Sequence, residues 1–271
     1  MTAPAKTWAV VTGASSGLGV EFARKLAARG HNLVLTARRL DRLTALADEL
    51  RGGHHVDVHV VQLDLAEPGA PEVLLERATA NGRRVHVLIS NAGFGQFGQF
   101  LDTPLQRHAD VLRLNAATLT ELSWHFARHM REHGEPSHIL HVASIGAFQP
   151  VPGMAVYAAA KSYVRNFSEA LAFELRSSAV RVTCLCPGGT TTEFTEVAGV
   201  ELNNLARGTM MTAAAVAGIG LDALFAGTPD VTSGLVNKLS GLLVRFAPRS
   251  LATRIAAAAM AGPSRLERPA A

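Results

Sequence analysis

Apolar residues are arranged along this 271-residue chain in two alternating rhythms. Six short runs rich in leucine and β-branched residues are apolar along most of their length: WAVVTG from Trp8, NLVLTA from Asn32, VDVHVVQLD from Val56 to Asp64, VHVLISNAG from Val85 to Gly93, SHILHVAS from Ser137 to Ser144, and VRVTCLCPGG from Val180 to Gly189. Strands covered on both faces have this character, because neither side of their sheet meets water. Longer stretches of helical character lie between them, among them Leu18 to Arg29 and Leu40 to Leu50. The alternation predicts a single α/β domain, a doubly wound parallel sheet of about seven strands with helices on both faces. No Pro/Gly/Ser linker interrupts it before the tail. From Gly234 to Met260 the rhythm changes: Leu235, Leu239, Leu242 and Phe246 fall on one helical face, Lys238 and Arg245 on others, and Pro248 is a break. That pattern predicts two short amphipathic helices.

Composition narrows the classes of function. A hydrophobic share of 48% supports a sizeable core and argues against disorder. The formal charge of +4 is scattered among acids, so no nucleic-acid stripe is indicated, while anionic small molecules remain candidate partners. The two cysteines, Cys184 and Cys186, lie two apart in an extended run; they are expected to face apart and to form no disulfide, which suits a reducing compartment. No charged segment followed by an apolar one precedes the first strand, and the longest apolar stretches, such as AAAVAGIGL from Ala213 to Leu221, fall short of the roughly 20 residues a spanning helix needs. These features predict a cytoplasmic protein.

Candidate chemistry begins where the first strand ends, in TGASSGLG, with glycines at Gly13, Gly17 and Gly19. Glycine lets a backbone turn tightly and approach a pyrophosphate that rests on the next helix N-terminus. The spacing G-x-x-x-G-x-G differs from the ordinary dinucleotide fingerprint, G-x-G-x-x-G. Further along, MAVYAAAKSYV sets Tyr157 and Lys161 four residues apart, one above the other on a helix face. Free tyrosine, with a pKa near 10, exchanges protons poorly at neutral pH, and a neighbouring ammonium would favour the phenolate.

These motifs together resemble the short-chain dehydrogenase/reductase family, over about Thr7 to Phe194: TGASSGLG, Asp64 after the third strand, NAG at Asn91 to Gly93, Asn115, Ser144, the Y-x-x-x-K of Tyr157 and Lys161, and PGGTTT at Pro187 to Thr192. The resemblance implies a Rossmann-like fold and an active site of Asn115, Ser144, Tyr157 and Lys161. Tyr157 would exchange the proton, its pKa brought toward the working range by Lys161 and a positively charged nicotinamide together; Ser144 would hold the substrate oxygen, and Lys161 would also bond the nicotinamide ribose. Asn115 would hold a water linking Lys161 to solvent. It also implies cofactor contacts from Gly13, Ser15, Ser16, Gly17, Leu18 and Gly19, from Asp64 and Leu65, from Asn91, Ala92 and Gly93, from Tyr157 and Lys161, and from Pro187, Gly188, Thr190 and Thr192. The segment from about 193 to 211 would be a substrate lid within a domain spanning 1–233, with 234–271 a helical extension packed on it. A homodimer or homotetramer through the helices carrying Asn115 and Tyr157 is implied as well.

The implied activity is NADPH-dependent interconversion of a carbonyl and an alcohol. NADP(H) is favoured over NAD(H) because Arg38 and Arg39 follow the second strand, where an acid would repel a 2′-phosphate; Arg38 is the preferred contact. Phe94, Phe97 and Phe100, with the segment before Tyr157, predict an apolar, uncharged site for a lipophilic ketone or aldehyde. A catalytically silent nucleotide-binding regulatory or scaffold protein is the alternative; an epimerase or dehydratase fits the glycine spacing and chain length less well. No metal is expected. His125, His129 and His133, at every fourth position, are expected to form a solvated or subunit-facing stripe. His141 stands where relatives of the family often carry asparagine. For the tail, packing over the substrate mouth or against another subunit is preferred to contact with an anionic membrane surface.

Overall fold

The computed structural model describes residues 7–194, 198 and 210–260. Most of the expected lid, and residues 261–271, lie outside the described residues. Six strands follow the six apolar runs: β1 (Trp8–Thr12), β2 (Asn32–Ala37), β3 (Val58–Gln62), β4 (Val85–Ser90), β5 (Ser137–Val142) and β6 (Val180–Cys186). A two-residue ladder of β7 (Thr190–Thr191) with β8 (Met211–Thr212) stands apart, and β9 (Asp230–Thr232) completes the main sheet. The order is β3-β2-β1-β4-β5-β6-β9, parallel throughout, with the crossover direction reversing between β1 and β4. Open α/β sheets bind ligands beyond the carboxyl ends of strands at such a reversal.

Nine α-helices are described: α1 (Gly17–Ala28), α2 (Leu40–His54), α3 (Ala70–Thr79), α4 (Leu105–Leu112), α5 (Thr118–His133), α6 (Ala155–Glu174), α7 (Ala213–Phe225), α8 (Leu235–Val244) and α9 (Arg249–Met260). Successive strand side chains point to opposite faces, and the core divides accordingly. Ala9, Val11, Leu33, Leu35, Val87, Ile89 and Leu140 pack under α1, α2 and α7. Val10, Val34, Leu88, Ile139 and Val182 pack under α3 and α5. The helix expected to end near Leu50 runs on through Gly52 and Gly53 and stops at His55, whose φ of 53° is left-handed.

The same alternation corrects the expectation for the cysteines. Residues two apart on a strand share a face, so Cys184 and Cys186 point together, with Sγ atoms 4.0 Å apart. Both thiols are free and buried. The histidine stripe is corrected as well, because two of its three members turn inward. His129 Nε2 accepts the Val85 N–H at 3.1 Å, and His133 Nε2 lies 3.1 Å from the Val85 carbonyl, so α5 is pinned to the start of β4.

The alanine-rich α7 lies close on α1 because Gly220 leaves room for Leu185, Leu140 and Phe22. A Cβ there would sit 2.8 Å from Leu185 Cδ2. Gly220→Leu is therefore expected to overpack this seam, costing about 2 kcal/mol and lowering Tm by about 4–8 °C. Calorimetry on the two proteins checks it, and an unchanged Tm would contradict the packing.

Candidate active site

The ends of β1 and β4 are tied to each other before any ligand is considered. Thr12 Oγ1 donates to Ile89 O and accepts the N–H groups of Asn91 and Ala92 at 2.9 and 3.0 Å, while Asn91 Nδ2 donates to Thr12 O. This holds Asn91–Gly93 against the glycine turn. Gly13 and Gly17 have φ of 66° and 55°, and a Cβ on Gly19 would lie 2.1 Å from Gly13 O, so the turn admits no larger residue there. Ser16 caps α1 in extended backbone without a side-chain hydrogen bond, and no acid stands in the helix's first turn. The first N–H groups of α1 are thus left for an anion, which is the arrangement a dinucleotide's diphosphate requires. Thr192, from the opposite loop, approaches this turn within 3.0 Å of where a Gly17 Cβ would be.

The four expected catalytic residues come together beyond β4 and β5. Ser144 follows β5 and opens a short 3-10 turn, its Oγ accepting the Gly146 N–H at 3.1 Å and sharing a hydrogen bond with Tyr157. Tyr157 and Lys161 lie on successive turns of α6. Lys161 is buried, its Nζ donating to Val142 O at 2.8 Å and lying 5.7 Å from the centre of the Tyr157 ring. Asn115 does not sit in regular helix; it occupies a π-helical turn, Arg113–Ala117, between α4 and α5. There Nδ2 donates to Phe94 O and Val111 O, both at 2.9 Å, and Oδ1 is a buried acceptor with no hydrogen-bond donor among the described residues. Gly93 is the neighbour that makes room: a Cβ on it would meet Asn115 Oδ1 at 2.4 Å and Lys161 Nζ at 3.5 Å.

Burial, opposed by the Ser144 hydrogen bond, pushes the Tyr157 pKa up to about 12. Burial also pulls Lys161 down to about 8. In the protein alone, desolvation of the phenolate is the larger of the two influences on Tyr157.

His141, in the strand that leads to Ser144, is fully buried between α5 and α6. Its Nε2 lies 2.9 Å from Ser123 Oγ and its Nδ1 2.8 Å from Ser168 Oγ. Burial lowers its pKa to about 3, so the imidazole is neutral and bonds both helices with one donor and one acceptor.

Where β2 passes into α2, Arg39 Nε donates to Ser15 Oγ at 3.2 Å, and Arg39 and Arg42 share Glu193 at 3.0 and 2.5 Å. Arg38 is 78% exposed and 3.7 Å from Asp64. Asp64 Oδ1 accepts the Ala66 N–H, and Leu65 is buried with its carbonyl bonded by Thr118. In the loop after β6, Pro187 O accepts from Ile145 N, Thr190 Oγ1 donates to Gly188 O, and Gly188 lies against Asn237, where any Cβ would collide at 2.0 Å. Arg42, Glu193 and Phe194 were not singled out from sequence; the RRLDR spacing was the available signal for Arg42.

A pocket of about 220 Å³ opens beside Tyr157, lined by Gln96, Gln99, Phe100, His108, Val111 and Val156 among others. Of the three expected phenylalanines only Phe100 lines it. Phe97 packs on Gly153, and Phe94 lies under the Arg107 guanidinium at 4.2 Å. Phe194 stands over Tyr157 with ring centres 5.4 Å apart.

The short chain dehydrogenase family model matches residues 7–202. A sulfoacetaldehyde reductase of Chromohalobacter salexigens is 36% identical over 193 residues, 69% of this chain and 74% of that protein. A short-chain dehydrogenase from Sphingobium yanoikuyae, solved with NADPH, superposes with a TM-score of 0.79 at 28% identity, covering 97% of this chain and 98% of its own. One from Burkholderia phymatum, solved with NAD, gives 0.80 at 25%, covering 90% and 94%. The chain belongs to the short-chain dehydrogenase/reductase family and is an oxidoreductase that interconverts carbonyl and alcohol groups with a nicotinamide cofactor.

Proposed function

We propose that the enzyme works with NADP(H) on a lipophilic ketone or aldehyde, with Tyr157 as the proton donor and acceptor. The observation that carries the reading is the hydroxyl pairing of Ser144 with Tyr157, which lines the pocket, backed by buried Lys161 and by Asn115 in its π turn. Ser144 Oγ holds the substrate oxygen beside the phenol. Tyr157, protonated at neutral pH because burial raises its pKa, gives its proton to that oxygen as charge develops there. The bound dinucleotide supplies the hydride. Lys161 bonds the nicotinamide ribose and returns a proton toward Tyr157, and Asn115 Oδ1, a buried acceptor in want of a donor, orients a water at the far end of that relay.

Phe100, Val111 and Val156 support a lipophilic substrate, and among the described residues no carboxylate, lysine or arginine lines the pocket. Gln96, Gln99 and His108 add uncharged hydrogen-bonding groups for a second polar atom on it. The free thiols of Cys184 and Cys186 suit the cytoplasm. Exposed Leu112 and Trp124 on α4 and α5, with Tyr163 and Phe173 on α6, support a homodimer or homotetramer through those helices.

Tyr157→Phe is expected to abolish turnover while nucleotide affinity and melting temperature stay near native, since only the proton donor is lost. Lys161→Ala should lose both turnover and nucleotide affinity. Steady-state kinetics with nucleotide titration by fluorescence separate the two roles. Substantial activity in the first variant, or unchanged nucleotide affinity in the second, would refute them.

For NADP(H) the support shifts from Arg38 to Arg39. Arg39 already rests on Ser15 of the phosphate turn, and no acid follows β2 until Asp41. A guanidinium there can exchange Glu193 for a 2′-phosphate, and one charged hydrogen bond contributes roughly 1.5–3 kcal/mol, about tenfold to a hundredfold in preference. The native enzyme should favour NADPH over NADH in kcat/KM. Arg39→Ala should cut that ratio by about tenfold or more and Arg38→Ala by less. Equal use of the two nucleotides by the native enzyme would sink the proposal.

A further inference from the structure

The two C-terminal helices carry their large apolar side chains on the outside. α8 turns Asn237 and Gly241 inward: Asn237 Nδ2 donates to Ser233 O at 2.7 Å, and Gly241 lies on the Phe148 ring, where a Cβ would be 3.3 Å away. α9 buries Ala252 and Ala256. Leu235 and Phe246 are meanwhile 84% and 80% exposed, with Leu239, Leu242, Leu251 and Ile255 each about half exposed or more. A helix that ends its contacts at the domain has the reverse arrangement, leucines in and small polar residues out. The small inward residues let α8 lie close to the loops after β5 and β6, and the leucines are left to meet something else. An exposed apolar patch of this kind marks an interaction surface.

Charge decides between occupants. Lys238, Arg249 and Arg254 are exposed on the same two helices and Arg245 just past the end of α8, and the sequence contains no acid between Asp230 and Glu267. A second copy docking face to face would bring these cations against their own duplicates, with no carboxylate in the segment to pair them. Anionic headgroups would complement all four while the leucines enter the acyl boundary. No helix among the described residues is long and apolar enough to cross a membrane, so the contact is with the surface. We propose that α8 and α9 dock the enzyme on an anionic phospholipid bilayer. This proposal departs from the preference drawn from the helical pattern alone, which did not show which face of α8 the domain covers.

The test uses the full chain, sedimented with vesicles of phosphatidylcholine alone or mixed equally with phosphatidylglycerol. Binding should be about tenfold or more stronger to the anionic vesicles and should weaken with salt. Leu239→Ser with Phe246→Ser should lower affinity by more than about tenfold. Arg245→Gln with Arg249→Gln should lower it by roughly 25-fold at low salt, about fivefold per cation. Turnover in solution and the oligomer size by light scattering should be unchanged in both, which also shows that the variants fold. Absence of native binding, or equal binding to neutral and anionic vesicles, would overturn the proposal. So would a smaller oligomer in the Leu239/Phe246 variant with vesicle binding intact, a result that assigns the face to a second copy.

Discussion

Lys161 keeps an ammonium where side chains and sheet exclude water, and much of the site is arranged around that constraint. Its Nζ bonds the Val142 carbonyl, and burial holds its pKa at about 8. Relative to the ordinary value of 10.5, this is a cost of roughly 3 kcal/mol carried by the folded protein at neutral pH. The folded pKa lies below the unfolded one, so the penalty is complete below about pH 8 and fades as the pH rises toward 10.5. Gly93 has no side chain because Lys161 Nζ and Asn115 Oδ1 occupy the space it would need. The π turn brings Asn115 to the same point, and such turns cluster at functional sites because they re-aim one side chain at the expense of helical regularity.

The helices that carry these groups are held in register by the sheet. His141 joins α5 to α6 through Ser123 and Ser168, and its neutrality adds no second buried cation to the strand that leads to Ser144. Thr12 does the corresponding work between β1 and β4, where one hydroxyl closes the gap at which the crossover direction reverses. The glycine turn after β1 and Ser144 after β5 therefore lie on either side of the end of β4.

Much of the architecture was legible because buried parallel strands are nearly continuous apolar runs, and β1 through β6 all have that character. β9 is three residues long and carries no periodicity to detect. The glycines at 13, 17 and 19 and the Tyr157–Lys161 spacing announced themselves because backbone turns and helix faces impose fixed intervals. Side-chain direction was harder to infer. Cys184 and Cys186 follow from strand period alone and should have been placed on one face. His129 and His133 turn inward because Val85 offers backbone groups at the edge of β4, a tertiary fact with no local signature. Arg38 and Arg39 are adjacent in sequence, and only the start of α2 decides which of them lies on Ser15. Likewise the periodicity of the tail showed two faces without showing which one the domain covers.

The proposal turns on Tyr157 being a protonated phenol in the protein alone, ready to act as the acid, and becoming a working base only when a positively charged nicotinamide joins Lys161 beside it. The chain contains two tyrosines, Tyr157 and half-exposed Tyr163, so carbon-13 NMR of ring-labelled tyrosine can follow both. Without nucleotide, Tyr157 should remain protonated beyond pH 10, and with oxidised dinucleotide saturating the site its midpoint should fall by more than about one pH unit while Tyr163 stays where it was. The same midpoint for Tyr157 in both states would contradict the account.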